Sequence, residues 1–223
     1  MMTFADQVLR FYQSLEIKDR IPEAIGVMNP YKDNSTFRLC ELFYHQYYSD
    51  QKERMLLLGI NPGRFGSGTT GISFTDPIKL EEECGIPNTL IKKPELSADF
   101  IYAMINEYGG PKKFFQQYFI SAISPLGFTK EGKNINYYDD ASLQKAITPF
   151  VIQSIDQLVA MNISRAKCFC IGEGKNFSFF QKLNEEKKWF EEIVPLAHPR
   201  FIMQYKRKQL DQYIADYLEK LSA

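Results

Sequence analysis

The residues best suited to chemistry cluster in Gly59-Ile60-Asn61-Pro62-Gly63-Arg64-Phe65-Gly66-Ser67-Gly68-Thr69-Thr70-Gly71-Ile72-Ser73-Phe74. Asn, Pro and Gly are ordinary turn formers, so the first five residues alone describe no more than a turn after a strand. The stretch is long for a turn, however. Its five glycines from Gly59 to Gly71 let backbone amides approach a ligand closely, and Phe65 and Phe74 supply aromatic faces. Two phosphate-binding patterns are excluded. No Gly-Lys-Ser/Thr is present, and no G-x-G-x-x-G stands between this strand and a helix. A second candidate is Leu196-Ala197-His198-Pro199-Arg200. His198 is one of two histidines in the chain. The other, His45, stands among Phe43, Tyr44 and Tyr47 in a helical pattern and reads as structural.

The elements that must position these groups alternate. Apolar spacing predicts helices over residues 4–15 and 36–48. Met55 to Ile60 is a continuous apolar run closed by turn residues, which predicts a strand buried on both faces. A helix follows over 97–108, ended by Gly109-Gly110, and helix continues at 114–117 after Pro111. A second strand spans 118–124. A long helix covers 141–161 with Pro149 inside it. The third strand, 167–171, enters Gly172-Glu173-Gly174-Lys175-Asn176 and a helix over 177–188. The fourth strand, 193–197, precedes His198 and a final helix to Leu221.

This alternation predicts an α/β fold, a single-domain three-layer α/β/α sandwich over residues 1–223, with a central, mainly parallel four-stranded sheet. Ligands of such sheets bind beyond the carboxyl ends of the strands. The loops at 61–74, 124–128, 172–176 and 198–203 all fall there, so one shared cleft is expected.

Composition sets the class. The chain has 223 residues, 44% hydrophobic and 24% charged, as in soluble globular domains. The start of the chain carries no signal-peptide pattern, and no apolar run reaches membrane-spanning length. Four cysteines are too few and scattered for a disulfide framework. Cys168 and Cys170 share one strand face, but no C-x-x-C pair or nearby histidine suggests a metal. Buried, reduced thiols in a cytoplasmic protein are expected, with no metal and no cofactor. A formal net charge of zero means that any nucleic-acid surface must be local.

The loop at Gly59 resembles the first motif of the single-strand-selective monofunctional uracil-DNA glycosylases, within the uracil-DNA glycosylase superfamily: G-M-N-P-G-x-F-G-x-x-x-T-G-x-x-F. Gly59, Asn61, Pro62, Gly63, Phe65, Gly66, Thr70, Gly71 and Phe74 match it. His198-Pro199 resembles the family's H-P-S motif. Glu95-Leu96-Ser97-Ala98 is similar to E-V-S-G, and Phe119 to Leu126 lies where the family has F-V-x-N-H-C-P-L. Ile171-Gly172-Glu173-Gly174 resembles V-G-V-G. The likeness covers roughly residues 28–221.

The resemblance implies a monomeric hydrolase that removes uracil or a related deaminated base from single- or double-stranded DNA, leaving an abasic site. It implies that Asn61 holds water through its side-chain carbonyl and that His198 donates a hydrogen bond to the leaving base. Phe74 would stack on that base, with Ile60, Gly63, Phe65, Gly71, Ser121, Ala122 and Ser124 around it. No lysine occupies a motif position, so a lyase step is not implied.

Ala122 departs from the family, which has at that place the Asn that reads the base edge. Ser121, Ser124 or backbone groups must compensate, or the preferred base is a deaminated purine such as hypoxanthine or xanthine. Arg200, Lys206, Arg207 and Lys208, with Arg64, supply a local positive patch, which Lys92, Lys93, Lys112, Lys113 and Lys130 would extend. Beside Pro199, the large residues Phe201, Ile202 and Met203 read equally as a wedge into the base stack or as core. Gly172 to Asn176 reads as a turn into a helix or a phosphate contact. Two other functions remain open: a non-catalytic binder of single-stranded or damaged DNA, and a nucleotide-binding α/β domain.

Overall fold

In the computed structural model, which describes residues 2–222, the first helix opens at a capping box. Thr3 Oγ1 accepts the Asp6 amide at 3.1 Å, and Asp6 Oδ2 accepts the Thr3 amide at 2.8 Å; such reciprocal pairs satisfy the free donors of a helix start. Met1 and Ala223, the ends of the domain read from the sequence, lie outside the described residues.

In chain order the elements are α1 (Phe4–Gln13), β1 (Ile25–Met28), α2 (Asn34–Tyr48), β2 (Arg54–Gly59), α3 (Ser67–Thr70) and α4 (Pro77–Glu82). Then come α5 (Leu96–Tyr108), α6 (Pro111–Phe115), β3 (Tyr118–Ala122), β4 (Gly127–Lys130), β5 (Lys133–Ile135) and α7 (Ala141–Val159). The chain closes with β6 (Ile163–Ile171), α8 (Lys175–Lys187), β7 (Glu192–Leu196), α9 (Pro199–Tyr205) and α10 (Leu210–Ser222).

The expected four-stranded parallel sheet is present, in the order β3-β2-β6-β7. Strand alternation assigns its two faces. On β3, Phe119 packs on Phe4, Tyr44 and Tyr48 of α1 and α2. Its neighbour Tyr118 packs on Tyr108 of α5, and its hydroxyl donates to the Leu221 carbonyl of α10 at 2.7 Å. The result is helix, sheet, helix. Arg54, 1% exposed, is tolerated inside because its guanidinium pairs with Asp50 and lies over the rings of Phe4 and Tyr48.

Register aligns the strand ends. Gly59 pairs with Ala122, Leu58 with Cys170, and Ile171 with Leu196. The path from β2 turns toward β3, and the path from β6 turns toward β7. Where two such connections diverge, a crevice opens. The loops after β2 and β6 flank it.

Three features differ from the sequence reading. A second, antiparallel sheet, β1-β4-β5, was not expected. Its strands are three or four residues long and partly exposed, too short to show a period. Its hairpin turn at Glu131-Gly132 has positive φ at both residues, as the tight turns between twisted strands require. The final helix is two helices, α9 and α10, separated by a 3-10 turn at Arg207–Gln209. The run from Gln204 to Gln209 has no aliphatic residue to bury, so packing does not hold it helical. His45 is on a helix as expected but exposed, because the buried stripe of α2 runs through Thr36, Cys40, Phe43, Tyr44 and Tyr48.

The four cysteines are buried and unpaired. Among the described residues, no helix is long and apolar enough to cross a membrane.

Candidate active site

At the carboxyl ends of the strands lies a cleft of about 790 Å³. From the loop after β2 it takes Ile60, Asn61, Gly63 and Phe74; from β3, Ser121 and Ala122; from beyond β7, His198 and, on the first turn of α9, Arg200 and Phe201. These nine sequence-predicted residues come together.

Phe74 reaches the cleft through a strained turn. Its φ is +52°, a region that a bulky side chain rarely occupies and that costs of order 1–3 kcal/mol. The turn is held from inside: Thr70 Oγ1 donates to the Thr75 carbonyl at 2.6 Å and accepts the Ile72 amide at 3.2 Å. Gly71, at φ +72°, lies against α2, where a Cβ would sit 2.4 Å from the sulfur of Cys40. Thr70 and Gly71 therefore serve the motif by aiming Phe74, and Gly71 does not line the cleft. The Phe74 ring covers Gly59, where any Cβ would stand 2.9 Å from it. Across the opening, the His198 ring is 6.3 Å from that of Phe74, centroid to centroid.

His198 caps α9. Its Nδ1 accepts the Arg200 amide at 3.2 Å, which leaves the proton on Nε2. Burial, with the Arg200 charge nearby, depresses its pKa to about 4. The ring is neutral at ordinary pH, with one N–H donor. Tyr217 of α10 donates to the carbonyl of Ala197, the residue before it, and so fixes the strand end from behind.

Asn61 is held at both ends of its amide. Oδ1 accepts the Tyr137 amide at 3.0 Å, and Nδ2 donates to the Ile135 carbonyl at 3.2 Å. Exchanging the two ends would set donor against donor, so the carbonyl oxygen has one orientation. It keeps a second lone pair.

Ser124 is not in the cleft. It is fully buried, its hydroxyl donates to the Leu126 carbonyl at 2.9 Å, and its amide donates to Ile60. Tight backbone pairing past the strand end turned it inward. The Ser121 hydroxyl lies 3.3 Å from that of Tyr12. Phe65 also lies outside the cleft, 40% exposed, with the Lys93 ammonium 3.5 Å from its ring centroid. Ile202 and Met203 are buried and Pro199 is covered, because α9 turns that side toward α5. Of the wedge candidates, Phe201 is left at the rim, 45% exposed and 5.7 Å from the ring of Tyr205 one turn on.

Lys206, Arg207 and Lys208 are exposed in the break after α9. Arg64 is exposed too, tied to the Gly132 carbonyl and, through its amide, to Asn134. Lys92 and Lys130 pair with Glu81 and Asp140.

Several cleft residues were not singled out from the sequence, including Glu95, Asn136, Tyr138 and Tyr205. Asn136 and Tyr138 follow the unexpected hairpin, which explains the omission. Glu95 carried a signal, since it begins the E-V-S-G-like segment. Asp76 caps α4 through Oδ1 and accepts the Glu95 amide through Oδ2 at 2.8 Å. This places the Glu95 carboxyl beneath Gly66, where a Cβ would collide with it. Burial and the neighbouring Asp76 raise its pKa to about 7, against a smaller opposing effect of Arg200.

The sign of that shift makes a prediction. The fold favours protonated Glu95, so its penalty is absent below the ordinary carboxyl range and complete above pH 7. Glu95→Gln is expected to melt about 2–4 °C above the wild type at pH 8, the shift that roughly 1 kcal/mol produces at this size. The gain should shrink toward pH 5 in paired thermal melts. Equal gains at both pH values would show that the carboxyl is not under strain.

Among the described residues, no group of three or more His, Cys, Asp or Glu is placed to hold a metal ion. The uracil DNA glycosylase superfamily model matches residues 45–222. The crystal structure of wild-type Pedobacter heparinus SMUG2 is similar over 100% of this chain and 98% of that chain, with 47% identity and a TM-score of 0.97. No curated protein matches the chain.

Proposed function

The chain belongs to the uracil-DNA glycosylase superfamily, and we propose from that premise that it is a monofunctional DNA-repair glycosylase cleaving the bond between a deaminated base, uracil first, and its sugar. The meeting of Asn61, Phe74 and His198 in one cleft carries this reading.

A glycosylase reaches its bond only after the nucleotide leaves the stack. Phe74 offers the extruded base a face. As the bond breaks, positive charge grows on the sugar and negative charge on the base. The neutral His198 donates from Nε2 to the base oxygen that gathers this charge, a donor aligned before the reaction. Asn61 presents its free lone pair to a water hydrogen and aims the water at the sugar carbon. An amide is no strong base, so its contribution is position. No lysine occupies a position that matches the family's motifs; Lys175 lines the cleft with its ammonium 5.9 Å from the Tyr138 ring centroid, and the reading is hydrolysis that leaves an abasic site.

With Ala122 apolar and Ser124 turned away, other polar groups of the cleft read the base edge. Uracil, hypoxanthine and xanthine all present an N–H beside a carbonyl, which such groups recognise in common. Phe201 and Tyr205 at the rim are suited to the gap or to flanking bases; Arg200, Lys206, Arg207 and Lys208 are suited to phosphates. The cleft is complete within one chain, which supports a monomer, and the four unpaired thiols suit the reducing cytoplasm.

Labelled oligonucleotides bearing uracil, hypoxanthine or xanthine, single- and double-stranded, test the proposal. Incubation followed by alkaline cleavage should yield strand breaks at uracil. Intact strands on every substrate would refute the activity.

A further inference from the structure

Asn61 is not held by its own loop alone. Both ends of its amide bind the backbone of 135–137, a segment just beyond the hairpin of β4 and β5. We propose that Tyr137 and Asn176 are positioning residues for Asn61, joining it through this segment to the end of β6. The proposal rests on the reading of Asn61 as the group that aims water.

The connections are continuous. Tyr137 gives its amide to Asn61 Oδ1 at 3.0 Å and its hydroxyl to Asn176 Oδ1 at 2.8 Å. Asn176 Nδ2 donates to the Ile171 carbonyl at 3.1 Å and reaches the Cys170 sulfur at 3.4 Å. Cys170 pairs across the sheet with Leu58 of β2, the strand that leads into Asn61. The contacts therefore form a closed ring, from β2 through Asn61, Tyr137 and Asn176 to β6 and back to β2. Tyr137 is 0% exposed and Asn176 1%, so neither bond has water to replace it, and a lost partner leaves a buried polar atom unmet.

The ring also accounts for the loop Gly172-Glu173-Gly174-Lys175-Asn176. Gly172 has φ +121°, and a Cβ there would stand 3.2 Å from that of Asn176. The glycine lets the chain turn back closely enough for Asn176 to reach the strand it has just left. A second brace acts on the same loop: Asn134 Oδ1 accepts the Arg64 amide at 3.3 Å, and a Cβ at Gly127 would meet the Pro62 carbonyl at 2.5 Å. The small sheet is thus a support for the Asn61 loop.

Tyr137→Phe keeps the ring and removes the hydroxyl. Its single-turnover rate on a uracil oligonucleotide is expected to fall about 10-fold, since small misplacements of reacting groups are costly, with the oligonucleotide Kd changed less than two-fold. In an Asn61→Ala background the same change should alter the residual rate less than two-fold, because the group it positions is gone. Asn176→Asp, which keeps the acceptor for Tyr137 but not the donor to Ile171, should behave likewise, and it stands in if Tyr137→Phe does not fold. A wild-type rate in either variant overturns the proposal, as does an equal further loss in the Asn61→Ala background. If Asn61→Ala itself retains the wild-type rate, the reading of Asn61 falls instead.

Discussion

Replacing Asn61 with alanine is expected to slow uracil release at least about 100-fold in single-turnover assays, while the Kd for the oligonucleotide changes only a few-fold. The asymmetry follows from where the side chain is attached. Its amide is bonded to Ile135 and Tyr137 rather than to any cation that would meet a phosphate. On the proposed reading, grip on DNA comes from the rim, where Arg200 and Phe201 stand, and stacking comes from Phe74. On that reading Asn61 supplies the direction of a water molecule, and loss of such orientation is worth a factor on the order of 100 or more. The residual rate should stay above spontaneous hydrolysis because the His198 donor remains. A wild-type rate in this variant would remove Asn61 from the chemistry. A large loss of DNA affinity would move its role to binding.

The parallel sheet was legible because β2 and β3 are buried almost throughout, as is the second half of β6. Met55 to Ile60 and Tyr118 to Ser124 are apolar runs stopped by turns, and two-faced burial leaves that trace directly in a sequence. The small sheet left none, since its strands are short and half exposed. The same physics divides the site. Asn61, Phe74 and His198 lie in loops whose length and glycine content demand a reason beyond turning. Tyr137 and Asn176 meet by a contact between segments 39 residues apart in sequence, and no local pattern announces such a pair. Ser124 shows the limit of reading a site by position in a motif: two residues beyond the strand, backbone pairing with Ile60 decides which way it faces.

Ile202 and Met203 make a similar point. Large apolar residues after a candidate catalytic histidine suit a wedge and a core equally. Helical spacing in α9 settles it by sending 202 and 203 inward and leaving Phe201 and Tyr205 on one exposed stripe.

His198→Ala is expected to lower the single-turnover rate about 100- to 1000-fold, the usual effect of removing a donor aligned on developing charge. The ring's environment specifies which state does the work. With Nδ1 accepting from Arg200 and the pKa depressed to about 4, the neutral form donates from Nε2 throughout the physiological range. An imidazolium would require Nδ1 to carry a proton toward the Arg200 N–H, donor against donor. Protonation therefore disturbs the start of α9 as well as the charge. For this group the folded value lies below the unfolded one, so the sign is opposite to that of Glu95. The stability it contributes is complete above about pH 6.5 and is lost as pH falls toward 4. In the wild type, the imidazole resonances of His198 should titrate near pH 4 in an NMR series. Titration of His198 near 6.5 would mean that the ring is solvated and charged through much of the working range, and the neutral-donor mechanism would fail even if His198→Ala were inactive. The rate loss and the low titration point are both required.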